Sequence, residues 1–330
     1  MLTLNPIFDH GMILQANKPV CVFGTGKGNI SVSFLGQTRS IKSQEENWCI
    51  TLPAQNYGGP CTMTVTLDGK EKIIDDIYFG DVFLLGGQSN MQFMLMETDE
   101  PVENYKENLN VRCFTVTRPE EGETFRTEDG WVSCRKDTAR LFPAIGYYVG
   151  TALNEHNGHK IGLISCNQGA SVIQTWMPEE ILADERFYVS DEDKFMDHFN
   201  FPFNGYGHLY KTMLSKLFPY SLCTVLWYQG EANSSVRESE IYLDLLGAFI
   251  GNIRHQLRDE TLPFIVVQLA DYLPWDGPGW RGIQAAQMKA QETIPNVRTV
   301  VCRDVCQNDN LHPVNKRDLR ARIVNILCNN

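Results

Sequence analysis

A serine that follows two glycines at the end of an apolar run is the first residue of this chain with chemistry to offer. Val82-Phe83-Leu84-Leu85 has the length and composition of a buried strand, Gly86-Gly87 permits a tight turn, and Gln88-Ser89-Asn90-Met91 follows. Ser89 is therefore expected at the carboxyl end of a strand, the edge where open parallel sheets bind ligands, and at the entry to a helix with backbone N–H donors to spare. Taken alone, the pattern also describes a glycine turn with a capping serine. It lacks the G-x-S-x-G elbow of the common hydrolase fold. Three other stretches favour catalysis. Asp309-Asn310-Leu311-His312 sets a carboxylate three residues before a histidine on a turn, a spacing that lets Asp309 reach Nδ1 and leaves Nε2 to take a serine proton. Trp227-Tyr228-Gln229-Gly230-Glu231-Ala232-Asn233 ends a second apolar run, and the Asn233 amide has two N–H donors for a developing oxyanion. Ser165-Cys166-Asn167-Gln168-Gly169 ends a third, with a glycine whose backbone N–H can approach a reacting carbonyl. A nucleophile, a base with its orienter and two donors, all on strand-end loops, point to acyl transfer.

The elements that must position these residues are of two kinds. Residues 7–77 read as short strands (20–23, 30–35, 49–52, 63–67 and 73–77) separated by Gly, Asn, Asp and Pro clusters, which predicts a small antiparallel β-domain over 1–78. From 79 to 330 strands alternate with helices. Continuous apolar runs at 82–85, 111–116, 161–165, 223–228, 264–269 and 299–302 predict strands buried on both faces. Three- and four-residue apolar spacing predicts helices at 142–155, 206–217, 238–257, 283–293 and 316–327. The expected fold is α/β, a parallel sheet covered on both sides. The segment 177–204 has no clear period and reads as a long loop, of the kind that covers a site.

The four chemical stretches resemble, in order, the four sequence blocks of the SGNH hydrolases. Within that superfamily the chain is similar to the sialate O-acetylesterases, a carbohydrate-esterase group, over nearly its whole length. Asp9-His10-Gly11-Met12-Ile13-Leu14-Gln15, Val22-Phe23-Gly24, Gly58-Gly59-Pro60 and Trp227-Tyr228-Gln229-Gly230-Glu231 add to the likeness. The resemblance implies a three-layer α/β/α SGNH-type sheet and removal of an acetyl group from a sugar, with no metal or cofactor. It implies Ser89 as nucleophile, His312 as base, Asp309 as orienter, and oxyanion donors from the Ser89 and Gly169 backbones and the Asn233 amide. Sialic acid, the implied sugar, carries a carboxylate, for which Arg281 in Arg281-Gly282-Ile283-Gln284 is the first candidate. An arginine tying its loop to Glu231 or Asp271 fits the same pattern. Gln88, Trp176 and Gln229 complete the expected substrate-binding set. The chain departs from the family at Gly86, commonly Ser, at Ala170, commonly Gly, and at Tyr206-Gly207-His208.

Bulk properties exclude other classes. A net charge of −11 with 29 basic residues gives nucleic acid or an anionic membrane no cationic stripe. Ten scattered cysteines read as free thiols of a reducing cytosol, and Cys302/Cys306 and His156/His159 lack the second pair a zinc site needs. No basic segment followed by an apolar one opens the sequence, and no run nears about 18 apolar residues, so a cytoplasmic protein is expected. Rival readings are an acetylxylan or other carbohydrate esterase, a glycosidase pairing Glu231 with Asp309, and a non-catalytic carbohydrate-binding protein.

Overall fold

The structure, a computed structural model, describes residues 2–118, 130–195, 201–275 and 277–329. Eight strands come first: β1 (Thr3–Leu4), β2 (Ile13–Gln15), β3 (Val20–Thr25), β4 (Gly28–Phe34), β5 (Gln37–Ser43), β6 (Asn47–Leu52), β7 (Gly58–Leu67) and β8 (Lys70–Gly87). β1, β3 and β6 form one antiparallel sheet, and β5, β4, β7 and the first half of β8 form another arm. The alternation legible in β4 is the reason it pairs this way round, since Ile30, Val32 and Phe34 are buried while Ser31 and Ser33 lie toward the surface.

β8 does not stop at the expected division between 78 and 79. Its second half runs on into the centre of the parallel sheet, so that one hydrogen-bonded sheet links the antiparallel arm to the α/β region. Gly80 marks a close approach here, because a Cβ on it would stand 2.1 Å from the Lys160 carbonyl oxygen.

The remaining elements are α1 (Ser89–Gln92), β9 (Asn108–Thr115), β10 (Trp131–Cys134), α2 (Ala144–Asn157), β11 (Ile161–Asn167), α3 (Glu179–Leu182), α4 (His208–Thr212), β12 (Thr224–Tyr228), α5 (Val236–Leu257), β13 (Phe264–Val267), α6 (Pro278–Thr293), β14 (Val297–Val300) and α7 (Arg317–Cys328). The sheet order is β10-β9-β11-β8-β12-β13-β14, parallel except for the antiparallel edge strand β10, which carries no sequence signal beyond four residues. Helices cover both faces. On one, Leu85 lies under α2, where a Cβ on Gly146 would come within 2.4 Å of it. On the other, Trp227 packs against Phe249 of α5 with ring centroids 4.2 Å apart.

Two segments differ from the sequence reading. The helix expected over 206–217 is broken, because Met213 leaves helical space at φ −125°, ψ −68°, giving α4 and then a 3₁₀ turn at Leu214–Leu217. The expected loop 177–204 contains α3 and 3₁₀ turns at Glu185–Phe187, Asp191–Asp193 and Pro202–Asn204, while 196–200 lie outside the described residues. Among the described residues no helix is long and apolar enough to cross a membrane.

Register brings the chemistry together. Gly87 at the end of β8 is level with Asn167 of β11 on one side and Tyr228 of β12 on the other. The three following loops therefore open beside one another, at the point where successive strands are laid down on opposite sides of β8.

Candidate active site

Ser89 is the first residue of α1, so its own N–H has no intrahelical acceptor. The sharp exit from β8 depends on Gly87, at φ +133°, whose added Cβ would lie 2.1 Å from the Tyr228 carbonyl oxygen. His312 arrives from the loop after β14, and its Nε2 stands 2.8 Å from Ser89 Oγ across 223 residues of chain. The histidine ring lies over Phe93 with centroids 6.3 Å apart. Burial, together with the Lys316 cation and against Glu97, pushes the His312 pKa below its ordinary value, which keeps the imidazole neutral and able to accept a proton.

Both groups open into a cavity of about 420 Å³. Its floor holds Gln88, Ser89, Gly169, Ala170, Glu231 and Ala232, and its walls are mainly aromatic, from Phe195, Phe201, Tyr272, Trp275 and Trp280. Phe195 and Phe201 come from the 177–204 segment, and Trp275 from the loop after β13. Phe195 meets Trp275 edge to face at 5.0 Å, and Trp275 is 47 % exposed at the rim. These wall residues escaped the sequence reading, and their only signal was an aromatic-rich composition in loops.

Gly169 comes close to Ser89. A Cβ there would be 3.5 Å from Ser89 Cβ, and its N–H donates to Gln92 Oε1 at 2.7 Å. The next residue, Ala170, sits at φ +57°, a left-handed conformation that costs a non-glycine roughly 1–2 kcal/mol.

Other expected site residues are placed differently. Asn233 is 0 % exposed, with both donors engaged: Nδ2 reaches Gln174 Oε1 at 2.8 Å and Glu238 Oε1 at 3.1 Å, while Oδ1 accepts from the Ile173 N–H and Gln229 Nε2. It ties loops together and does not line the cavity. Gln229 is likewise sealed, donating to the Ser171 carbonyl and accepting from the Tyr242 hydroxyl. Trp176 is fully buried, its indole N–H on Ser171 Oγ and its ring against Trp227. Arg281 pairs with Asp271 at 3.2 Å, the loop-tying arrangement foreseen as its alternative, and Asp271 also accepts from Arg303. Asp309 is exposed, and among the described residues no carboxylate is hydrogen-bonded to His312 Nδ1. The turn is instead held by Asn310, whose Oδ1 accepts from the His312 N–H at 2.9 Å.

Glu231 and Lys316 form the buried electrostatics behind Ser89. Burial raises the Glu231 pKa; its Oε1 accepts from Asn90, and its Oε2 is buried with no partner among the described residues. Burial pushes the Lys316 ammonium down to about 8. Asp309 does not line the cavity, so the two carboxylates of the glycosidase reading do not face each other across it.

Comparison with known proteins places this chain among carbohydrate esterases. A family model described as carbohydrate esterase, sialic acid-specific acetylesterase, matches residues 79–320. The sialate O-acetylesterase of Rattus norvegicus is 25% identical over 96% of this chain and 71% of its own length, and that of Homo sapiens is 24% identical over 96% and 68%. The crystal structure of a carbohydrate acetylesterase from Xanthomonas citri superposes with a TM-score of 0.84 at 29% identity, covering 98% of this chain and 74% of that one.

Proposed function

This chain belongs to the sialic acid-specific acetylesterase family of carbohydrate esterases, and from that premise we propose that it removes O-acetyl groups from sialic acid, with Ser89 as nucleophile and His312 as base. It is a carboxylic ester hydrolase, and its substrate is an O-acetylated sugar. The observation that carries the residue assignment is the 2.8 Å contact between His312 Nε2 and Ser89 Oγ at the floor of the aromatic cavity.

In this mechanism His312 Nε2 takes the Ser89 proton as Oγ adds to the acetyl carbon. The carbonyl oxygen becomes an oxyanion beside the Ser89 and Gly169 N–H groups, and Gln92 must release the latter when substrate enters. Collapse breaks the ester bond, and the departing sugar oxygen takes the proton from His312. Water, deprotonated by the same nitrogen, then frees acetate from the acetyl-serine. With Nδ1 free of a carboxylate, the pair works as a dyad oriented by Phe93 and by the Asn310 turn.

A neutral acetylated sugar, such as acetylated xylan, is the second reading. It is favoured by the cavity wall, which among the described residues contains no Lys or Arg to meet a carboxylate. Acetate release from O-acetylated sialic acid and from acetylated xylo-oligosaccharide, each with wild type and Ser89→Ala, tests both levels. Faster turnover of the xylo-oligosaccharide removes the sialic acid reading, and retained activity in Ser89→Ala removes the nucleophile assignment.

A further inference from the structure

We propose that the cleft between the N-terminal strands and the carboxyl end of α5 is a second binding site, taking a saccharide that carries a carboxylate. It stands apart from the Ser89 chemistry. α5 starts just after the Glu231–Asn233 turn beside the catalytic cavity, and its 22 residues, at 1.5 Å each, put its far end about 33 Å away. The cleft there has a volume of about 770 Å³, within the range of small-ligand sites.

Charge selects the ligand. Lys216, His255 and Arg258 line the cleft, and no Asp or Glu does. Lys216 and Arg258 are exposed, and among the described residues neither pairs with a carboxylate. In a chain of net charge −11 this is a local reversal of the field, able to draw in an anion that the rest of the surface repels. The amides of Asn47 and Gln256 line the same space, with donors and acceptors suited to hydroxyl groups. An acidic sugar uses both sets. A bare inorganic anion would use the cations and leave the amides idle.

The backbone at Arg258 is an independent sign. This residue ends α5 at φ +56°, ψ +37°, the left-handed position that helices most often give to glycine. Its N–H caps the Arg254 and His255 carbonyls, which a glycine would do without strain. The helix dipole does not require the cation, since Arg254 and His255 in the last turn already complement it. The guanidinium is thus kept at a conformational cost, and the cleft is what it faces. The walls are held in advance of any ligand. Asn5 Nδ2 donates to the Lys216 carbonyl at 2.8 Å, clasping the two sides across 211 residues of chain, and the indole N–H of Trp48 donates to the Thr3 carbonyl at 3.1 Å.

The probe is N-acetylneuraminic acid, an acidic sugar without an ester, titrated calorimetrically into wild type, Arg258→Gly and Lys216→Gln. Arg258→Gly removes the guanidinium and the backbone strain together, so its Tm should lie close to or above that of wild type. Affinity should fall at least about tenfold in each variant, and by a similar factor when wild type is offered the methyl ester of the sugar. Hydrolysis of an aryl acetate should stay within about twofold of wild type in both variants, which keeps this site separate from the Ser89 and His312 reading. Unchanged affinity in folded Arg258→Gly overturns the proposal. Affinity lost in Trp275→Ala and kept in Arg258→Gly also overturns it, placing the sugar in the catalytic cavity. Sulfate binding as tightly as the sugar overturns the saccharide assignment, and so does the absence of binding to wild type at about 10 mM sugar.

Discussion

Lys316 Nζ donates to Asn90 Oδ1 at 2.5 Å, linking the helix after the His312 loop to the residue that follows Ser89. The same Asn90 side chain donates to Glu231 Oε1 at 2.6 Å and to the Leu311 carbonyl at 3.0 Å. One amide therefore holds α1, the loop after β12 and the loop carrying His312 in a common register. The ammonium also lies 5.0 Å from the Phe93 ring and 5.5 Å from the Tyr228 ring, which offsets part of the loss of hydration.

The acid limb of kcat/KM should fall below the ordinary histidine value, since burial and the Lys316 cation both disfavour protonated His312. Lys316→Met removes the cation and should move that limb to higher pH. A pH-rate profile that stays in place in the variant would mean that burial alone sets the base.

Stability should also carry a mark of Lys316. Its folded pKa, about 8, is below its ordinary 10.5, so the unfolded chain binds the extra proton between those values and stability due to this group rises with pH across that window. Below about pH 8 the full penalty is present. Urea unfolding of wild type and Lys316→Met at pH 7.5 and 9.5 checks the sign: the difference between them should shift toward wild type at the higher pH.

Asp309→Asn should change kcat/KM by less than about threefold, because the carboxylate is exposed and does not meet His312, whereas His312→Ala should lose at least about 10³. Comparable losses would show that the 309–312 turn rearranges around substrate to bring Asp309 onto Nδ1.

Asn233→Ala should act on folding. It strands the Ile173 N–H and the polar ends of Gln174, Gln229 and Glu238 in a sealed interior, for a cost of about 3 kcal/mol. The denaturation midpoint is the readout. A stable protein with kcat reduced a hundredfold would return the oxyanion role to Asn233.

Trp275→Ala should raise KM for an acetylated sugar about tenfold, by removing the exposed ring at the cavity rim, and leave ethyl acetate hydrolysis nearly unchanged. Equal effects on both esters would place Trp275 in the support of the wall and not in contact with sugar.

Much of the architecture was legible because it rests on local pattern. Apolar runs such as 161–165 and 223–228 must be buried on both faces, and Gly87 before Ser89 answers to a backbone that leaves no room for a Cβ. The order of strand-end motifs likewise delivered Ser89, Gly169 and His312 to one edge, since every parallel strand ends on the same side. What the residue types could not distinguish was one amide from another. Gln88 and Asn233 both sit on strand-end loops, and only the packed structure decides that Gln174, 59 residues away, and Glu238 consume the Asn233 donors while the Gly230 and Ala232 N–H groups take the Gln88 oxygen. The Asp-x-x-His spacing allowed a contact that the Asn310 turn does not make, and the aromatic wall is assembled from loops more than 70 residues apart. Local spacing limits which contacts a chain is able to form, and competition among buried donors and acceptors, settled across the whole interior, selects the ones it keeps.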